Sequence, residues 1–148
     1  MLADRKFRVP WHIWPIGGIL LLYGLLAGYD SAMTLTQGEA YMRASGMTDS
    51  QVAFFTGFPV WVQMAGFVST WGGLIGATLL LLRRQTAVVT FFVAAFATLA
   101  TCAYLYSSAG GIAAMGVLWP MPAIIALAFV AAAFYSAWLA RRGVLKRG

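Results

Sequence analysis

Residues 60–106 read VWVQMAGFVSTWGGLIGATLLLLRRQTAVVTFFVAAFATLATCAYLY, and this stretch decides the fold. Two apolar runs, 59–82 and 86–107, flank the polar tripeptide Arg83, Arg84 and Gln85. Each run reaches the roughly 20 residues that a helix needs to cross a hydrocarbon core of about 30 Å. Because backbone groups cannot stay unpaired in lipid, such continuous runs predict helices. The short link between them predicts a tight antiparallel hairpin.

Two further apolar runs extend the pattern, at about 13–30 and 120–140, with connecting segments at 31–58 and 108–119. Of the 148 residues, 61% are hydrophobic and 9% are charged, whereas a soluble domain carries about 25% charged residues. Pro15, Pro59 and Pro120 stand where helices would begin, where proline costs no intrahelical hydrogen bond. The sequence therefore predicts an all-α polytopic membrane protein, a single domain over 1–148 built as a four-transmembrane-helix bundle.

The basic residues predict the orientation of the bundle. Nine of the ten lysines and arginines lie before the first span, between the second and third, or after the fourth. The tenth, Arg43, lies in segment 31–58 together with Glu39 and Asp49, and Asp30 directly precedes this segment. Positive residues collect on the cytoplasmic side, so we expect both termini there, in a bacterial inner membrane. The formal charge of +6 then indicates contact with the lipid bilayer and not with nucleic acid.

The outer segment 31–58 carries helix signals of its own. Thr36 and Glu39 have the spacing of a capping box, and so do Thr48 and Gln51. Gly46 between them is a plausible helix stop. We therefore predict short outer helices at about 38–45 and 49–57. They would serve as a structural lid, or as a lid that gates a site or docks a partner.

One group of outer polar residues is a candidate ligand-binding site. Asp30 closes the first span, Gln63 begins the second, and Tyr104 and Tyr106 end the third. Antiparallel neighbours would bring these four side chains together beneath the lid, where they could hydrogen-bond a hydroxylated ligand or a proton. The alternative is that Asp30 caps the first turn of the loop through backbone amides.

Small residues predict the helix contacts, because helices in lipid associate where backbones can approach closely. Gly24 and Gly28 have this spacing in the first span. In the second span the corresponding residues are Gly72, Gly73 and Gly76, and the alternative for both sets is a glycine-lined path for a small substrate. Trp71 lies mid-span, and its indole N–H needs an acceptor, so we expect it to face the bundle or a partner chain.

Catalytic and cofactor signatures are missing from the sequence. We find no nucleophile–base pair, no paired carboxylates within the spans, no phosphate-binding glycine loop and no metal cluster. The single cysteine, Cys102, is interpreted as a small hydrophobic residue. The single histidine, His12, suits the inner interface, with pigment, haem or metal ligation as the alternative. We therefore expect a protein that is not an enzyme and has no cofactor.

Three segments carry a resemblance to a known family: DxxMTxTxxEAYM over 30–42, GFPVW over 57–61 and WGGLIGATLLLLRR over 71–84. They resemble small four-helix bacterial membrane proteins that are often described as sugar transporters. The chain departs from that family in its basic N-terminal extension and in the apolar stretch 107–119. The resemblance implies a four-span fold, and it implies neither an established activity nor particular binding residues.

Two functions from different classes remain open. The small size, the uncharged spans and the apolar outer stretch favour a non-catalytic accessory or assembly subunit of a larger membrane complex, respiratory or photosynthetic. The alternative is a small transporter or ligand-binding protein for a polar solute, acting as an oligomer, with its site around Asp30 and Gln63. The expected partners are therefore other membrane subunits or further copies of this chain.

Overall fold

The structure is a computed structural model that describes residues 9–146. Within that range the regular elements are helical, apart from one isolated bridge between Arg84 and Lys146. The α-helices are α1 (Ile13–Gln37), α2 (Glu39–Ala44), α3 (Asp49–Thr56), α4 (Val60–Leu81), α5 (Thr86–Ser107), α6 (Gly111–Met115) and α7 (Met121–Arg141), with a 3-10 turn at Gly116–Leu118 before α7. Arg5, Lys6, Arg8 and Arg147, which contribute to the predicted orientation, lie outside the described residues.

Four of these helices, α1, α4, α5 and α7, are long and apolar enough to cross a membrane. Consecutive long helices pack side by side, α1 on α4, α4 on α5, and α5 on α7. We call the end of the bundle that carries the α4–α5 turn and the residues after α7 the terminal end. The opposite end, which carries α2, α3 and α6, is the loop end. The predicted all-α bundle of four spans is confirmed.

The bundle carries many of its large apolar side chains outside and mainly small ones inside, the reverse of a soluble domain. Small residues dominate its interior, with Ala77, Ala87, Ala94 and Ala133 fully buried, while large apolar side chains cover its perimeter. Phe96, for example, is 76% exposed. A continuous exposed apolar surface of this kind requires an apolar solvent. The chain is therefore an integral membrane protein.

Helix α1 is longer than the predicted first span. It does not end near residue 30 but continues without a break to Gln37. The reason is local, because residues 31–37 contain neither proline nor glycine, and Gly38 then takes a positive φ of 55° that ends the helix. Consequently Asp30 lies inside a helix, and the interpretation that it caps a loop turn is wrong.

Helices α2 and α3, which we call the lid, follow the predicted short helices closely. The Thr48–Gln51 capping box is present in both directions, and Gly46 has a φ of 87° after α2, as expected of a stop residue. The Thr36–Glu39 capping box is absent, because Thr36 lies within α1 and its hydroxyl donates to the Ala32 carbonyl at 2.9 Å.

The apolar stretch before α7 folds back under the lid. The side chain of Gln51 donates from Nε2 to the carbonyl oxygen of Ala114 at 2.8 Å, which ties α3 to α6. Val52, on the inner side of α3, is 1% exposed. Gly111 lies so close to the Leu105 carbonyl that any side chain there would collide with it. Helix α3 of the lid is therefore anchored on α6, the short helix between α5 and α7.

The predicted packing residues contribute unequally to the helix contacts. A Cβ on Gly24 would lie 2.9 Å from the Cα of Leu74, whereas one on Gly28 would meet only ordinary contacts of 3.5 Å or more. In α4, each of the three glycines packs against one side chain of a neighbouring helix. Gly72 faces Ala94, Gly73 faces Phe129 and Gly76 faces Phe91. Close packing, and not an open path, is therefore what these glycines provide.

One buried polar contact joins α4 and α5. The hydroxyls of Ser69 and Thr98 lie 2.5 Å apart, and the Thr98 hydroxyl also contacts the Ala94 carbonyl at 2.7 Å. Because a hydroxyl has one proton and Thr98 gives its own to Ala94, Ser69 is the donor in the pair. Both groups are satisfied in a place where water cannot reach them.

A candidate ligand-binding cavity at the loop end

The loop end contains a half-open cavity of about 580 Å³ between α1, the lid and α4. Its walls combine one carboxylate and several hydroxyl or amide groups with aromatic and thioether side chains. Mixed linings of this kind, with a few polar groups on a largely apolar wall, are typical of small-molecule sites. The lining residues are Asp30, Ser31, Thr34, Leu35, Gly38, Tyr41, Met42, Met47, Phe55, Thr56, Phe58, Gln63, Gly66, Phe67 and Thr70.

Two helix faces supply most of the polar wall. On α1, Asp30 and Thr34 lie four residues apart and therefore on one face. On α4, Gln63 and Thr70 lie seven residues apart, two turns along one face. The extension of α1 beyond residue 30 is what carries its polar face up against α2. The same sequence ending in a loop at residue 31 would leave this wall unformed.

Asp30 is held by the lid. The Tyr41 hydroxyl on α2 donates to Asp30 Oδ1 at 2.9 Å, and this hydrogen bond is the main reason that the pKa of Tyr41 is raised above its ordinary value. The carboxylate thus connects α1 with α2 across eleven residues of chain while remaining exposed toward the cavity.

The other charges of the loop end are paired with one another. Arg43 contacts Asp49 at 2.5 Å and Glu39 at 3.2 Å. Both pairs lie on the exposed surface of the lid, where such pairs stabilise little. Within residues 9–146, Asp30 is consequently the only charged group that lines the cavity and the only loop-end charge outside an ion pair.

The predicted four-residue site is only partly assembled. Asp30 and Gln63 line the same cavity, and Gln63 also donates from Nε2 to the Phe58 carbonyl at 2.8 Å. Tyr104 does not line it. Its ring instead contacts those of Phe58 and Trp61, at centroid distances of 5.5 and 5.6 Å.

Tyr106 is also directed elsewhere, since its hydroxyl donates to the Trp119 carbonyl at 2.7 Å. The physical reason is the order of the helices. Helix α4 lies between α1 and α5, so residues at the end of α5 are separated from Asp30 by a full helix diameter of about 10 Å.

Trp71 follows directly after the cavity-lining residue Thr70. Its ring lies 5.8 Å from that of Phe67, which lines the cavity, and its edge faces Gly28 of α1. The indole Nε1 is buried and has no hydrogen-bond partner among residues 9–146. An unpartnered buried donor costs about 1–3 kcal/mol, and this indole is the one such side-chain donor among residues 9–146.

His12 lies at the terminal end, far from this cavity. Its Nδ1 is 2.6 Å from the Tyr135 hydroxyl, and its ring lies among those of Trp11, Tyr135 and Trp138. Among the described residues no group of three or more His, Cys, Asp or Glu side chains is arranged to hold a metal. His12 thus lies among aromatic side chains at the terminal end, and its interfacial role stays a prediction.

Sequence reasoning missed several cavity residues, chiefly Tyr41, Thr34 and Thr70. A usable signal exists for the α4 residues, because Gln63, Gly66, Phe67 and Thr70 follow helical spacing along one face. The signal for Thr34 becomes visible only when α1 is known to continue past residue 30. Tyr41 has no sequence signal, since its contact with Asp30 depends on the reversal of the chain at Gly38.

A second concavity, of about 660 Å³, lies on the lipid-facing side of α4 and α5. We call it the α4–α5 groove. Its walls consist only of apolar or small side chains, in contrast with the cavity under the lid. The lining residues are Trp61, Met64, Ala65, Val68, Val89, Phe92, Val93, Phe96, Ala97 and Ala100.

Comparison with known proteins finds no match for this chain among protein-family models, curated proteins or solved structures. The resemblance to small membrane proteins described as sugar transporters stays a prediction.

Proposed function

We propose that this membrane protein binds a small polar solute in the cavity under the lid. The observation that carries the proposal is the cavity of about 580 Å³ that Asp30 and Gln63 line together. Its volume falls within the range of about 300–1,000 Å³ that small-molecule sites occupy. The chemistry of the walls supports a hydroxylated solute, because carboxylate, amide and hydroxyl groups stand beside aromatic faces.

The position of the cavity supports uptake from the loop-end side of the membrane. The polar lining groups that α1 and α4 supply lie in the last third of α1 and in the first half of α4. The lid is joined to this wall by the hydrogen bond between Tyr41 and Asp30. Opening of the lid would therefore be coupled to the group that contacts the solute.

The test is solute binding by the purified protein in detergent, measured calorimetrically against a panel of monosaccharides and polyols. Asp30→Asn keeps the shape of the side chain and removes its charge. Hydrogen bonds to charged groups contribute about 1.5–3 kcal/mol, so we expect the affinity to fall by at least about tenfold.

Asp49→Asn is the matched control, because Asp49 lies on the lid and pairs with Arg43 outside the cavity. Its affinity should equal that of the native protein. Binding by no member of the panel, or equal affinities for the native protein and Asp30→Asn, would contradict the proposal.

The α4–α5 groove favours a second function, that of an accessory subunit. A concavity without polar groups in the middle of the lipid-facing surface is suited to an apolar helix of a partner subunit. Purification from native membranes in mild detergent, with identification of the co-migrating chains, tests this directly. A monodisperse particle that contains this chain alone would exclude the subunit role.

A further inference from the structure

Five basic residues lie at the terminal end, where the chain after α7 folds back onto the α4–α5 turn. The backbone N–H of Lys146 donates to the carbonyl of Arg83 at 2.6 Å, and that of Gln85 donates to the carbonyl of Lys146 at 3.0 Å. Val144 and Leu145, just before this contact, are 8% and 5% exposed. Tertiary structure thus brings Lys146 against Arg83 and Arg84, at the same end of the bundle as Arg141 and Arg142.

Arg83 occupies a backbone position that favours glycine. Its φ is 56°, and it is the one residue other than glycine with a positive φ in the described range. At this C-terminus of α4 the backbone N–H of Arg83 donates to the Leu80 carbonyl, and that of Arg84 donates to the Leu79 carbonyl. Only glycine takes this conformation without steric cost. A long cationic side chain at a strained helix terminus points to a role for the charge itself.

The five basic residues of the terminal end lack acidic partners within residues 9–146. The three acids of that range, Asp30, Glu39 and Asp49, all belong to the loop end, and Asp4 lies outside the described residues. No described ion pair includes any of the five basic side chains. Arg142 lies over the ring of Trp138 at 4.2 Å, which fixes its guanidinium at the depth of the aromatic belt. Among residues 9–146 this positive charge is therefore uncompensated, and it lies at the end of the bundle that carries the exposed tryptophans Trp11 and Trp14.

We propose that the terminal end is a binding site for the phosphodiester headgroup of an anionic phospholipid. Arginine pairs in a forked geometry with phosphate oxygens. Exposed Trp11 and Trp14 lie at the same end and are suited to the interface beside the acyl chains. The site is independent of the cavity under the lid, since the two lie at opposite ends of the bundle.

The experiment is native mass spectrometry of the full chain in detergent with an equimolar mixture of phosphatidylglycerol and phosphatidylcholine. The native protein should retain phosphatidylglycerol about tenfold or more in preference. Arg84→Gln and Arg142→Gln should each lower this preference about fivefold, as expected for one interfacial charge. Arg43→Gln, which removes the loop-end arginine, should leave it unchanged. Equal retention of the two lipids, or equal losses in Arg43→Gln and Arg84→Gln, would overturn the proposal.

A variant that keeps every charge distinguishes a structured lipid-binding site from general attraction between positive charge and anionic lipid. The double substitution Val144→Ala and Leu145→Ala weakens the anchor of the folded-back segment. If the paired geometry forms the site, the preference should fall by about fivefold or more. If this variant keeps the full preference for phosphatidylglycerol, the site does not depend on the folded-back segment and the proposal of a structured site is refuted. Inorganic phosphate at millimolar concentration distinguishes the ligands, because displacement of the lipid by phosphate would show a site for the free anion and refute the lipid proposal.

Discussion

Replacing Gly24 by alanine should push α1 and α4 apart. The new Cβ would lie 2.9 Å from the Cα of Leu74, and 3.1 and 3.2 Å from its Cδ1 and Cβ. Ordinary carbon contacts lie at about 3.5–4.0 Å, so the helices must separate by about 0.6–1.1 Å at this point. The closest atom belongs to the backbone, which means that no side-chain rotation can relieve the contact.

The magnitude follows from two opposing effects. Overpacking of a close contact costs about 1–3 kcal/mol, while replacing a helical glycine with alanine gains about 0.5–1 kcal/mol. The net cost then lies between about 0 and 2.5 kcal/mol, and we expect Gly24→Ala to lower the free energy of unfolding by about 1 kcal/mol.

Gly18→Ala is the matched control on the same helix. A Cβ there would meet nothing within 4 Å, so only the helical gain of about 0.5–1 kcal/mol remains. Gly28→Ala, with its nearest contact at 3.5 Å, should resemble the control. The three variants thus separate close packing from helix propensity within one segment.

The assay is unfolding of the purified protein by titration of sodium dodecyl sulfate into mixed micelles, followed by far-ultraviolet circular dichroism. The midpoint should fall for Gly24→Ala and rise slightly for Gly18→Ala. If the two variants have the same midpoint, close approach of α1 and α4 does not stabilise the bundle, and the packing argument is refuted.

Two further predictions concern polar contacts. The pKa of Tyr41 is raised chiefly by its hydrogen bond to Asp30. The stability that this contact gives should therefore be complete below the unfolded-state pKa of about 10. It should be lost as the pH rises through the higher pKa of the folded state. Asp30→Asn should lower the Tyr41 pKa in a titration followed by the ¹³Cζ resonance of tyrosine, and an unchanged or higher pKa would contradict the contact. Between α4 and α5, a double-mutant cycle of Ser69→Ala and Thr98→Val should give a coupling free energy of about 0.6 kcal/mol in the same detergent titration, and additive effects would show that the buried pair contributes nothing.

Most of the fold could be predicted because its signals are local. Four apolar runs, the proline at position 59 and the Thr48–Gln51 capping box each act within a few residues of chain, and the corresponding helices form where expected. The one large error, the end of α1, came from treating Asp30 as a boundary. A single charged residue does not stop a helix, whereas Gly38 does, because it adopts a positive φ.

The candidate site could be predicted only in part, since it depends on which helices are neighbours. Asp30 and Gln63 lie together because α1 packs on α4. Tyr104 and Tyr106 have the right depth but stand on the far side of α4. Depth in the membrane can be estimated from position within a span, but the angular position around the bundle depends on shape complementarity between helices.

By itself the sequence determined that this chain lies in a membrane as four helices, because the cost of placing backbone and charged groups in lipid depends on each short segment alone. Tertiary structure decided the rest: that a cavity forms under the lid, that Tyr41 holds Asp30, and that Lys146 packs against the α4–α5 turn. These features join residues from 11 to more than 50 positions apart, and such contacts follow from the packing of small and large side chains across helix faces, which no local pattern records.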